Sequence, residues 1–251
     1  MKKYRAAGII CALACVLLLL LLIVPRLASK PFAEQVPQVL DEYENDSSAS
    51  GKSSADEPYV SPIDFESLQK DNADIYAWLD IPGTEISYPI VQNEDDSYYL
   101  NHDITGAYKT SGAIFTESAY NRNDFSDPVT VVYGHKMKAG TMFGKLQDCY
   151  WDPESFAQHK TVIVYLPDRA LHFEVFLAAQ YSDEHLLYDR DYSDREQKKQ
   201  LIERIRNTHQ IGGCFDENAE LTYDEPLLIL STCLKGNLNN RCLVVAKEIK
   251  P

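Results

Sequence analysis

The sequence predicts a mainly β domain with helices at its periphery. Seven short runs rich in Val, Ile, Leu, Tyr and Phe are separated by turn formers. One late segment has the apolar spacing of a helix behind a capping signal. An N-terminal tract of different composition precedes all of these. With 251 residues the chain is long enough for one such domain beyond that tract.

Met1-Lys2-Lys3-Tyr4-Arg5 is a basic start, expected as a cytoplasmic tail over 1–5. Ala6 to Val24 carries no charge, and these 19 residues would span roughly 28 Å as a helix, about a bilayer's hydrocarbon thickness. The expectation is a transmembrane signal anchor over 6–25, uncleaved because Val24-Pro25-Arg26-Leu27 lacks a small-residue cleavage site. That places the protein in the cell membrane as a single-pass chain with the domain that follows outside. Residues 26–60 are rich in Ser, Glu, Asp, Ala and Pro and read as a flexible extracellular stem of roughly 30 Å r.m.s. span.

The folded domain is expected over 61–251. From Asp64 to Leu79 the residues Phe65, Leu68, Ile75, Trp78 and Leu79 fit one helix or two short ones, stopped by Ile81-Pro82-Gly83. Strands are expected at Glu85–Val91, Ala113–Phe115, Val129–Tyr133, Thr161–Leu166, Leu171–Gln180, Leu227–Thr232 and Cys242–Ile249. Asn121-Arg122-Asn123-Asp124 and Pro167-Asp168 are turns between them. Ser193 with Glu196 forms a capping box for a helix whose stripe is Leu201, Ile202 and Ile205. The pattern does not choose between barrel and sandwich.

A balance of 24 basic to 38 acidic residues, a formal net charge of −14, excludes a nucleic-acid partner. Cys11 and Cys15 fall in the apolar N-terminal run; Cys149, Cys214, Cys233 and Cys242 match no zinc spacing, and their pairing is left open. No cofactor is indicated, and no loop has the oxygen-ligand spacing of a calcium site.

Three strand ends carry chemistry. Cys233 ends the run Leu227–Thr232, Arg241 opens the next apolar strand, and His135 follows Val129–Tyr133 across Gly134. A thiolate is a strong nucleophile that nearby positive charge favours. An imidazole protonates a leaving amine and deprotonates an attacking one. A guanidinium stabilises an oxyanion, worth about 3 kcal/mol when preorganised. Singly, each residue has an ordinary structural explanation; together they point to acyl transfer. Cys149, Cys214, Cys242, His102, His159, His172, His185 and His209 keep the structural explanation, and Cys242, alternating with Arg241, is expected to face the core.

Leu230-Ser231-Thr232-Cys233, followed by Arg241 and a Val-rich strand, resembles the active-site signature of sortases. Tyr133-Gly134-His135 with Thr141-Met142-Phe143, Tyr98-Tyr99-Leu100-Asn101-His102-Asp103 and Gly112-Ala113-Ile114-Phe115 are similar to class B sortases, the cysteine transpeptidases of Gram-positive bacteria. So are the N-terminal helical extension and the helix at Ser193–Asn207. The likeness runs roughly from Pro62 to Lys250, with its elements in family order.

The resemblance implies a closed eight-stranded β-barrel with N-terminal helices and a helix before the last two strands. It implies a transpeptidase that cuts a C-terminal sorting motif of secreted proteins after Thr, with Cys233 as nucleophile, His135 as acid and Arg241 at the oxyanion. Positions similar to Leu100, Leu187, Tyr188, Ser231 and Thr232 would line the groove. The thioester would pass to an amine, of a cell-wall precursor peptide or of a pilin Lys, anchoring or polymerising surface proteins. Many class B members carry an acid after the cysteine where this chain has Leu234-Lys235, which leaves the sorting motif open. A cysteine peptidase or cell-wall hydrolase is the alternative in the same chemistry, disfavoured because papain-like enzymes place Cys before His. A non-catalytic surface binder is the alternative from another class.

Overall fold

Asp64 starts the first helix, α1 (Phe65–Asp71), by accepting the Ser67 N–H at 3.0 Å, and Asn72, in extended conformation, ends it. The structure, a computed structural model, describes residues 59–208, 212–234 and 237–250. They belong to one compact unit, Glu57–Pro251. After α1 come strands β1 (Ile75–Asp80), β2 (Ser87–Val91), β3 (Ile114–Phe115) and β4 (Val129–Tyr133). Two short helices, α2 (Leu146–Tyr150) and α3 (Pro153–Gln158), lead to β5 (Thr161–Tyr165) and the long β6 (Ala170–Ser182). Helix α4 (Arg195–Thr208) and strands β7 (Gly213–Phe215), β8 (Leu227–Leu234) and β9 (Asn237–Ile249) complete the domain.

Eight strands close into a barrel in the order β5-β1-β2-β3-β4-β8-β9-β6, with β6 pairing back onto β5 and β7 added on β6 as a ninth strand. The pairs β2–β3 and β4–β8 are parallel and the other pairings antiparallel. This is the mainly β barrel that the resemblance implies.

The apolar runs of β8 and β9 are continuous because both faces are covered. Leu228, Leu230, Cys242, Val244 and Ala246 fill the barrel. Leu227, Ile229, Leu243 and Val245 point the other way and pack with Leu201, Ile202 and Ile205 of α4. On β6 the register shifts between Val175 and Leu177. That bulge keeps Val175 and Ala178 inside while Phe176 and Leu177 join the α4 side. Cys242 is fully buried in the barrel, as its alternation with Arg241 predicts, and burial raises its thiol pKa well above the usual range.

Three local expectations change. The helix expected over Asp64–Leu79 holds only to Asp71, and Ile75–Asp80 is a strand. After a register shift between Ile75 and Ala77 its side chains alternate, Ala77 and Leu79 in the barrel and Trp78 against Ile63 and Phe65, so a spacing that mimics a helical stripe belongs to a two-sided strand. Second, α4 is capped by Asp194, which accepts the Glu196 N–H at 2.9 Å, while the Ser193 hydroxyl donates to Asp191. Third, β7 carries no alternation to announce it. Gly213 has φ of +132°, and a Cβ there would lie 2.0 Å from the Ala178 carbonyl oxygen.

The single-pass membrane localisation is also corrected. Among the described residues no helix is long and apolar enough to cross a membrane. The longest described helix, α4, has 14 residues, about 21 Å, and carries seven charged side chains from Arg195 to Arg206. The tail, the anchor at 6–25 and nearly all of the stem at 26–60 lie outside the described residues.

If α4 seals the outer face of β8 and β9, Leu201→Ala should cost about 2–5 kcal/mol of stability, because Leu201 is fully buried there. Urea unfolding followed by circular dichroism checks this, with a lower midpoint at unchanged slope expected.

Candidate active site

The parallel β4–β8 pair brings two reactive side chains to one rim. Tyr133 lies opposite Ser231, and the Gly134 N–H donates to the Ser231 carbonyl at 3.2 Å. Two residues further on each strand stand His135 and Cys233. Antiparallel β9 adds the third group, since Cys233 and Arg241 are register partners and Arg241 Nη1 faces Cys233 Sγ at 3.8 Å. One cavity of about 250 Å³ is lined by His135, Cys233 and Arg241 together.

His135 is held from the opposite side. The turn at Tyr98–Leu100 presents the Leu100 carbonyl, which sits 2.7 Å from His135 Nε2. A carbonyl only accepts, so Nε2 carries the proton in this contact and Nδ1 is the remaining exchangeable position. Gly112 makes the close approach possible. It has φ of +56°, and a Cβ there would lie 2.4 Å from the Tyr99 oxygen, 2.9 Å from the Leu100 oxygen and 3.1 Å from the His135 ring.

The far wall of this cavity contains Asp96, Glu117, Asp183, Glu184 and His185. His185 Nδ1 accepts the Leu187 and Tyr188 N–H groups at 3.3 and 3.1 Å, so its Nε2–H donates to Glu117 at 2.9 Å. Burial raises the Glu117 carboxyl above its ordinary range and outweighs the opposing pull of His185 and the Tyr133 hydroxyl. Tyr133 is raised in turn, by burial first and by Glu117 second.

Of the expected groove positions, Leu100, Ser231 and Thr232 line the cavity, Leu100 exposed and the other two buried. Leu187 is buried in the cluster beneath α4, and Tyr188 is exposed and outside the wall. Neither joins the others; Leu186 takes that place. Glu117 and His185 carry no functional expectation in the sequence reading. Their one signal is that His185 directly precedes the segment Leu186-Leu187-Tyr188, which holds two of the expected positions.

A second cavity, about 510 Å³, shares His135 and Cys233 with the first and runs along Lys136 to Gly140 and Lys145. Cys149 and Cys214 are free thiols packed against the barrel interior, both raised by burial. Among the described residues no group of His, Cys, Asp or Glu could hold a metal ion.

A family model described as Sortase domain matches residues 79–249. The chain is 28% identical to Sortase B of Listeria monocytogenes over 170 residues, which is 68% of this chain and 67% of that protein. The structure of Clostridium perfringens sortase B superposes with a TM-score of 0.65 at 30% identity, covering 74% of this chain and 99% of that one. A Streptococcus pyogenes class B sortase involved in pilus biogenesis superposes with a TM-score of 0.65 at 28% identity, covering 74% and 98%.

Two outcomes test the geometry. Gly112→Ala should push Leu100 and His135 apart and lower the rate of any Cys233-dependent acyl transfer by at least about tenfold while the fold persists, read by kinetics beside circular dichroism. For Glu117 the folded pKa is raised, so its stability contribution is full below the ordinary carboxylate range and is lost as pH rises through the raised value. Unfolding midpoints measured from about pH 4 to 7 should therefore fall for the native chain relative to Glu117→Gln.

Proposed function

The chain belongs to the sortase family, as a class B member, and on that premise we propose that it joins proteins through a thioester on Cys233. Membership makes it a transpeptidase that anchors or links proteins. The catalytic domain in this reading is 61–251. The carrying observation is the in-register pair of Cys233 and Arg241 at a rim that His135 shares.

In this mechanism the Cys233 sulfur adds to the carbonyl of the motif Thr in a C-terminal sorting signal. Arg241, on the neighbouring strand, faces the oxyanion that forms, where a preorganised donor is worth most. His135 gives its proton to the departing amine, so the C–N bond breaks and the thioester remains. Leu100, Ser231 and Thr232 hold the acyl segment in the cavity they line. An incoming amine then adds to the thioester, His135 takes its proton, and the thiolate is released.

The acceptor in this reading is an amine of a cell-wall precursor peptide. The likeness to the Streptococcus pyogenes enzyme, described as involved in pilus biogenesis, supports a second acceptor, a lysine of a pilin-type protein. Water as the acceptor would make the protein a cysteine peptidase or cell-wall hydrolase.

Incubation with a library of threonine-containing sorting peptides should give a thioacyl adduct on Cys233, read by mass spectrometry and discharged by added amine. Cys233→Ala should show none, and Arg241→Ala should form it about 10²- to 10³-fold more slowly. An adduct that turns over only to free acid would identify a hydrolase. No adduct with any peptide, in a folded and thiol-reactive chain, would remove the reading.

A further inference from the structure

The wall of the first cavity comes in part from two segments that are distant in sequence. One is the turn after β3, with Glu117; the other is 183–188, which follows β6 and holds no helix or strand. Leu186 and Leu187 fasten the second segment from behind, in the cluster under α4, and the Tyr192 hydroxyl donates to the Leu186 carbonyl at 2.6 Å. The cavity is bounded by Asp183 and Glu184 from that segment and by Asp96 and Glu117 from the others. Carboxylates gathered around a space of about 250 Å³ repel one another, so their charges act to open the wall.

His185 spans the gap. Its Nε2–H donates to Glu117 at 2.9 Å, while its Nδ1 accepts the Leu187 and Tyr188 N–H groups of its own segment. One imidazole therefore closes the turn at 185–188 and ties it to the segment after β3. The Tyr120 ring packs on it, with centroids 4.5 Å apart. Glu117 also faces the hydroxyl of Tyr133, two residues before His135. Beside it, the Ser118 N–H donates to Asp96 at 2.6 Å, in the stretch that leads to Leu100 and its contact with His135. The bridge thus sets the 183–188 wall on the same frame as the catalytic imidazole.

We propose that Glu117 and His185 are positioning residues for the sorting peptide, their bridge fixing the wall against which the acyl segment binds. The inference rests on the transpeptidase reading above and adds a determinant that acts through the wall, apart from Cys233, His135 and Arg241. A wall already held in place spares the peptide the cost of ordering it. That gain is the same before and during reaction, so it belongs to KM and leaves kcat alone.

His185→Asn separates the two roles of the imidazole. The Asn carbonyl oxygen can still accept the amides two and three residues on, but the shorter side chain no longer reaches Glu117. Glu117→Ala removes the other end of the bridge, and Glu117→Gln keeps an acceptor oxygen for the Nε2–H. The test uses the full chain, a threonine-containing sorting peptide that acylates the native Cys233, and hydroxylamine as the resolving amine. His185→Asn and Glu117→Ala should each raise KM for the peptide about five- to tenfold, with kcat within about twofold. The double variant should go no further than either single one, and Glu117→Gln should stay near the native KM. Circular dichroism checks the fold, and if Glu117→Ala does not fold, His185→Asn against Glu117→Gln decides. A native KM in His185→Asn, or effects that multiply in the double variant, overturns the inference and leaves the transpeptidase reading intact. Failure of the native chain to form any thioester overturns both.

Discussion

The parallel pairing of β4 with β8 is the constraint on which the site depends. Two parallel strands end at the same edge of a sheet, so residues at equal distances past a register pair emerge side by side. Tyr133 opposite Ser231 sets that register, and His135 and Cys233 follow in step. The antiparallel return of β9 then supplies Arg241 at the same level. A slip of one residue would turn the Cys233 side chain from the rim it shares with His135 and Arg241 toward the barrel interior. The two-sided burial of β8 and β9, barrel on one face and α4 on the other, makes such a slip costly.

The three strand ends were legible because each follows a Val- and Leu-rich run that marks where a strand stops. That the runs are neighbours was not legible from pattern, since parallel β4 and β8 are separated by more than ninety residues of intervening chain. The resemblance to a known family supplied that link and the barrel with it. Pattern misread β1, because Ile75, Trp78 and Leu79 have helical spacing whether or not both sides are covered. It missed β7, three residues whose pairing depends on the backbone freedom of Gly213. Glu117 and His185 lie 68 residues apart and meet only through the fold.

The His135 loop links catalysis to electrostatics in a short stretch of chain. One end carries the imidazole fixed on Leu100, and the rest carries the lysines of the second cavity. The first cavity is built from segments distant in sequence around Asp96, Glu117 and His185. The charges around Cys233, carboxylates and Arg241 in the first cavity and lysines in the second, therefore arise partly from local sequence and partly from topology. Net charge, which summarises the whole surface, conceals them.

Side chains on a strand alternate between faces, and that alternation also governs the fate of the nucleophile under oxidation. Cys242 points into the barrel, and Cys149 and Cys214 pack against the same interior, whereas Cys233 opens onto the groove. Among the described thiols, Cys149, Cys214, Cys233 and Cys242 are all free, so none is bonded to Cys233 as a resolving partner. An oxidant reaching the groove would leave a sulfenic acid or a mixed disulfide with a small thiol, both returned to thiol by an external reductant. For Cys242, fully buried, the barrel wall acts as insulation, keeping its sulfur out of the redox chemistry at the groove.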